Sequence, residues 1–448
     1  MLMLVAAFLG WFFAGFHLSI TSVAMPTVVF ALLDRTGDID LERYQELSRR
    51  FKNSPAPRLV SEESTDSIEP DRRQFEAWRS LHTRWFSWTQ CSFLFGAALG
   101  GLLFGAVGDR FGRTRGMGCA ILTYSLMAAV TYFADRPWVL CLAWFLACLG
   151  VGGMWPNGVA LVSEAWSSLS RPWAAGVIGT AANIGILLMS TIATYRPVTP
   201  ADWQWVMLIA ASPAVLGVFS LMFVPESPRW LKTRQDAQHS PAVTSSEIFR
   251  PPLLPITLLG IALATVPTIG AWGSANWMVP WAAEAGEAAI PPNPILKAQV
   301  NQYRSMTGIV GSLLGGWIAG LIGRRITYCL TSLGALISAQ YAFWQLQPTD
   351  PTFLGWVAAL GFFSGIYFGW LPLCLPELFP TRARSAGAGV SFNFGRILTA
   401  VTVFVTGTLT QVFAGDFARI GRLTSLIFAC GVLLIFFIPD TSQRQLED

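Results

Sequence analysis

The chain has 448 residues, of which 53% are hydrophobic and only 12% charged, and its apolar residues come in long blocks. That pattern excludes a soluble globular protein, and a net charge of only +4, with arginines gathered at the ends of the apolar runs, excludes a nucleic-acid-binding surface. The seven cysteines sit inside apolar runs without paired metal-ligand spacing, so neither disulfides nor a metal site is expected.

A run of roughly 20 apolar residues crosses a bilayer. By that measure twelve spans are predicted, near residues 4–32, 86–108, 116–134, 138–162, 173–195, 203–224, 254–283, 303–323, 326–346, 352–375, 385–412 and 424–438. The fold class is therefore an all-α polytopic membrane protein. The first run begins at Met1 without a basic leader and is longer than the apolar core of a cleaved signal, so it is expected to stay as a span. Short loops on one side carry most of the basic residues, among them Arg110, Arg113, Arg115, Arg171, Arg229 and Arg384. Those on the other side carry few, including Lys297 and Arg304. The positive-inside rule puts the richer side, and both termini, in the cytoplasm of a cell whose plasma membrane holds the protein.

Two polar stretches interrupt the spans. Residues 34–85 form a long external loop with a short surface helix in DLERYQELSRRFK, a flexible middle and an aromatic, basic end suited to the lipid interface; a solvated cap is the expected role. Residues 225–252 are read as a cytoplasmic linker dividing the chain into 1–224 and 253–448, each with six spans.

The sequence repeats itself across that linker. Glu164 and Arg171 in PNGVALVSEAWSSLSR recur as Glu377 and Arg384 in PLCLPELFPTRAR. Pro225-Glu226-Ser227 recurs as Pro439-Asp440-Thr441, and GAVGDRFGR recurs, without its Asp-Arg pair, as GWIAGLIGR at residues 316–324. All the offsets are about 211 to 214 residues, which implies two six-helix pseudo-repeats. Glycines four apart, Gly96/Gly100 in the second span and Gly311/Gly315 in the eighth, suit close packing of helices in lipid.

The stretch GAVGDRFGRTR at residues 105–115 must turn tightly between two spans. On the residues alone it is a basic loop that orients helices or part of a gate. Its Gly105, Asp109, Arg110, Gly112 and Arg113 fill every position of G-x-x-x-D-R-x-G-R, the loop signature of the major facilitator superfamily. With PESPRWL at residues 225–231 and PELFPTRAR at residues 376–384, the chain resembles the sugar-porter and metabolite-proton symporter branches of that family over essentially all spans. The resemblance implies alternating access, with Asp109 and Arg113 stabilising the outward-facing state against the eleventh span. Glu164, Arg171, Glu226, Arg229, Glu377 and Arg384 join them as a cytoplasmic gate. Two departures weaken the carry-over of proton coupling: Gly15-Phe16-His17 stands where relatives follow G-F with an acid, and Gly152-Gly153-Met154-Trp155 where many have GGEW.

Polar and aromatic groups inside spans are candidates for a central cavity: Gln90, Asn157, Asn183, Trp272, Asn276, Tyr367 and Asn393. His17 and Arg396 are the ionisable groups read as lying well inside apolar runs, and such groups are functional by default because burying them is costly. His17 is the candidate proton carrier. Arg396 falls in SFNFGRI where the first repeat's AANIGIL has Ile186, and its guanidinium suits a carboxylate. A structural arginine bonded to helix carbonyls is the alternative. The expected function is secondary transport of a small organic solute, an organic anion or carboxylate, with protons as candidate co-substrate. A neutral hexose transporter, a non-transporting receptor and a passive channel are the other readings. No nucleophile with its base and no phosphate-cradling loop points to an enzyme; no cofactor is expected, and a monomer in the bilayer is.

Overall fold

The computed structural model describes residues 2–52, 65–165, 171–228, 230–232, 247–379, 384–408, 416–434 and 436–438. Eleven helices or helix pairs among them are long and apolar enough to cross a membrane. With the third span, Arg113–Thr131, which falls short because Arg113 and Arg115 begin it, these 11 make the expected twelve. The described residues contain no strand, only an isolated bridge between Thr199 and Asp202.

The first span runs Leu2–Val23 and resumes as Met25–Arg35, with Pro26 in the opening turn, where a missing N–H costs nothing. The second, Thr65–Phe111, is 47 residues long. At 1.5 Å per residue that is about 70 Å, roughly twice the hydrocarbon core, so it projects well beyond the bilayer. The second part of the segment 34–85 is therefore helix continuous with the second span. The short helix Leu41–Lys52 lies against it. Arg43 and Arg50 both reach Asp71, at 2.9 and 2.7 Å, and Tyr44 packs on Phe75. His82, expected in a polar loop, is buried: its ring stacks on Phe30 with centroids 3.5 Å apart, and Nε2 meets the Pro26 carbonyl. Burial holds the Tyr44 hydroxyl well above its ordinary pKa, so it stays neutral.

The fourth and fifth spans are Pro137–Ala165 and Arg171–Tyr195, and the sixth is Gln204–Ala211 with Ala214–Phe223. The eighth to eleventh are Leu296–Ile322, Arg324–Gln345, Phe353–Leu378 and Arg384–Thr408, and the twelfth is Phe417–Ser425 with Ile427–Leu434. The seventh is broken in its middle. Leu254–Ile269, carrying Pro267, passes into a π turn at Gly270–Ser274 and a 3-10 turn at Ala275–Trp277 before Met278–Ala288. Freed carbonyls at that depth are tolerated where protein or a cavity covers them.

Glycines set the closest approaches. A Cβ on Gly100 would stand 1.9 Å from the Leu149 carbonyl oxygen, and one on Gly311 would stand 2.1 Å from that of Phe362, so these spans pack backbone to backbone. The two tight turns of the repeated motif share one conformation: Gly112 has φ of 119° and Gly323 has 89°, a region that disfavours any side chain. The repeat thus keeps its glycine where it has lost its Asp-Arg pair.

Candidate functional site

A cavity of about 130 Å³ lies where the broken seventh span faces the first, second, fourth, fifth, eighth, tenth and eleventh. Its walls are largely aromatic. Trp11 and Trp155 meet at 4.6 Å between centroids, and Phe93 stacks on Trp272 at 4.4 Å. Phe392 and Phe368 complete this surface.

Arg396 reaches the cavity from the eleventh span although the residue is only 9% exposed. Its guanidinium lies 4.6 Å over the Phe392 ring, and Nη1 donates to the Ala97 carbonyl of the second span at a long 3.3 Å. A second guanidinium enters from the eighth span. Arg304 was counted with the external-loop cations, at the very edge of the run placed near 303–323; the helix starts at Leu296, so Arg304 sits about two turns inside it. It donates to Asn301 Oδ1 at 3.0 Å and to Asn276 Oδ1 at 3.2 Å, both neutral acceptors. Neither arginine has a carboxylate partner among the described residues, and no Asp or Glu lines the cavity. The polar stripe Lys297, Asn301, Arg304, spaced four and three, is the sequence signal that marks this helix face.

Of the residues singled out in the sequence, Arg396, Asn183, Trp272 and Asn276 line the cavity together. Asn183 also donates to Ser312 at 3.3 Å, joining the fifth span to the eighth. The other four lie elsewhere. Asn157 donates to the Phe104 and Gly153 carbonyls, both at 2.9 Å, and so ties the second span to the fourth. The Tyr367 hydroxyl meets Ser332 at 2.6 Å in the second half. Asn393 lies on Gly101, where a Cβ would stand 2.6 Å from its Oδ1. Gln90 is fully buried, with no hydrogen-bond partner among the described residues for either amide atom. His17 is also fully buried outside the cavity lining, between Tyr124 at 4.9 Å and Trp144 at 5.5 Å. Its Nδ1 is 3.2 Å from the Phe13 carbonyl, and its Nε2 has no hydrogen-bond partner among the described residues.

At the end bearing the 105–115 turn, Asp109 pairs with Arg113. Glu226 accepts from the Thr114 backbone N–H at 3.0 Å, so a carboxylate after the sixth span caps the positive end of the third. A Cβ on Gly112 would stand 2.1 Å from that carboxylate. Trp230 donates to the Asp109 carbonyl at 2.9 Å, and Arg110 lies exposed over Phe111. The Glu377 carboxylate meets Arg324 at 3.1 Å, Glu377 buried and Arg324 half-buried, because the ninth span begins beside the end of the tenth. Around Gly105 there is open space. Arg229 and the side chains of Glu164, Arg171 and Arg384 lie outside the described residues, as does the repeat copy at residues 439–441.

At the opposite end, polar contacts join distant spans. Arg79 of the projecting second helix grips Glu284 of the seventh at 2.9 and 3.3 Å. Below it Lys297 reaches Thr27 at 3.1 Å, and Asn301 reaches Ser22 at 2.8 Å.

Twelve spans, a discontinuous helix over a central cavity and a charged turn after the second span define a secondary transporter. The profile of the Major Facilitator Superfamily matches residues 7–403, and the chain belongs to that family. It is 28% identical over 381 residues to a Haemophilus influenzae protein whose name gives metabolite transport without a substrate, covering 81% of this chain and 87% of that one. It is 25% identical over 354 residues to the cis,cis-muconate transport protein of Acinetobacter baylyi, covering 78% and 83%. Among solved structures, the proton:xylose symporter XylE superposes with a TM-score of 0.69 over 99% of this chain and 97% of its own; at 16% identity that likeness concerns the fold. The protein is a multi-pass membrane transporter of small solutes, and the family's members are not enzymes.

Proposed function

We propose that the protein carries a small organic anion, a carboxylate, across the membrane by alternating access, with Arg396 as the group that holds it. The observation that carries this reading is a buried guanidinium facing an aromatic cavity with no acid among the described residues to neutralise it. Placing an arginine deep in a span costs roughly 2.5 to 3.5 kcal/mol on insertion scales, and the 3.3 Å contact to Ala97 is a weak return for that cost. A bound carboxylate accepts two parallel bonds from the guanidinium and neutralises it. Neutralisation then lowers the cost of sealing the cavity from water, which favours the occluded state through which the spans must rock. The cis,cis-muconate relative supports an anionic substrate.

In this reading residues 1–224 and 253–448 are the two moving halves, 225–252 the cytoplasmic linker, and the 105–115 turn lies on the cytoplasmic side with both termini of a plasma-membrane monomer. His17, whose Nε2 has no hydrogen-bond partner among the described residues, is the candidate proton carrier. Uptake by purified protein in liposomes tests the reading. Accumulation of carboxylates but not of neutral hexoses or organic cations supports it; uptake of hexoses alone overturns it.

A further inference from the structure

Resting on the carboxylate reading above, we infer that the site takes a dianion gripped at both ends, with Arg304 as the second, specificity-determining cation. Arg396 and Arg304 enter one cavity from the eleventh and eighth spans. Two unneutralised guanidinium groups in about 130 Å³ repel each other in a medium that screens poorly, and a single carboxylate leaves one positive charge uncompensated. Among the described residues both arginines are held by neutral groups only. Arg304 is oriented by Asn276 and Asn301, and Arg396 by the Ala97 carbonyl and the Phe392 face. Such partners fix direction while leaving the charge for a ligand.

The surroundings describe the rest of the molecule. Trp11, Trp155, Phe93 and Trp272 present apolar surface and leave hydroxyls of a sugar few acceptors. The substrate is thus a short organic diacid with a flat or unsaturated carbon body. Arg304 also couples the site to the end bearing the 34–85 segment. Its partner Asn301 donates to Ser22 of the first span at 2.8 Å, and Asn276 lies in the broken stretch of the seventh. A carboxylate drawn onto Arg304 competes with both asparagines, so the second end of the diacid loosens the contacts that join the spans at that end.

The test compares affinities of diacids and matching monoacids, muconate against sorbate and terephthalate against benzoate, for purified protein and for Arg304→Gln and Arg304→Lys. The expected result is a diacid preference of roughly 10- to 100-fold, the worth of one charge-assisted hydrogen-bonded contact. Arg304→Gln should abolish that preference, lowering diacid affinity roughly 10- to 100-fold more than monoacid affinity, and Arg304→Lys should keep part of it. Because the ratio is read within one preparation, partial misfolding lowers both values and leaves it unchanged. Equal affinities for diacid and monoacid, or a preference that survives Arg304→Gln, overturns the two-ended grip while the carboxylate reading stands. Binding of neither acid class overturns the carboxylate reading itself.

Discussion

Arg79 and Glu284, from the second and seventh spans, form a two-pronged ion pair at 2.9 and 3.3 Å with both side chains about one-fifth exposed, at 22% and 21%. The pair ties the second span to the seventh at the end bearing the 34–85 segment, and a half-shielded charged contact is worth about 1.5 to 3 kcal/mol. Its loss should shift the ratio of conformations by roughly 10- to 150-fold. Arg79→Gln and Glu284→Gln should each raise labelling of a cysteine placed at Ala275 by an impermeant thiol reagent added from the side of the 34–85 segment. The exchange Arg79→Glu with Glu284→Arg should restore the low labelling; labelling that stays high in the exchanged protein speaks against a latch.

The opposite end is expected to respond in the reverse sense. Asp109 and Arg113 pair beside the open space around Gly105, and in the proposed gate the eleventh span approaches there as that end closes. Asp109→Asn should therefore raise accessibility of the cavity from the 105–115 side and slow transport, with expression near normal. Changes at Gly320 or Leu321, where the repeat lacks the charges, should do less. Unchanged accessibility in Asp109→Asn removes the gate from the account.

The two repeat glycines separate backbone strain from crowding. Both have positive φ, where a side chain costs about 1 to 2 kcal/mol. Only at Gly112 would the new Cβ also strike a neighbour, the Glu226 carboxylate that caps the third span. Gly112→Ala should lower the thermal unfolding midpoint clearly more than Gly323→Ala, which has nothing within 4 Å of its Cβ position. Equal shifts would mean that the Glu226 cap contributes little.

His17 offers a test of coupling. It is the buried histidine of the first span, and Nε2 has no hydrogen-bond partner among the described residues. His17→Gln should abolish accumulation driven by a proton gradient and spare solute exchange. Accumulation that persists places the carrier elsewhere or makes transport uncoupled.

The fold was legible because its signals are redundant: long apolar runs repeat a dozen times, and the GxxxDRxGR turn needs glycine at Gly112 for its φ. The site was legible in part. Arg396, Asn183, Trp272 and Asn276 were found because a polar or bulky group inside an apolar run needs a cavity or a partner. The same rule also selected Asn157, Tyr367, Gln90 and Asn393, since composition does not say on which face of a helix a residue lies. Asn157 bonds two neighbouring helices, a use indistinguishable in sequence from binding a ligand. Arg304 was missed because Lys297, Gln299, Asn301, Gln302 and Arg304 make the start of the eighth span look like a loop, whereas neighbouring helices hold the Lys297, Asn301, Gln302 and Arg304 side chains. The projecting second helix was hidden likewise, since a charged helix beyond the bilayer has the composition of a loop.

The most direct test of the central claim is initial uptake of a labelled carboxylate into liposomes holding equal amounts of folded wild-type, Arg396→Lys and Arg396→Ala protein. The account predicts saturable uptake by the wild type, a reduction in Arg396→Lys, which keeps the charge but not the paired bonds, and a greater one in Arg396→Ala, at least about tenfold. Full carboxylate uptake by Arg396→Ala would contradict it.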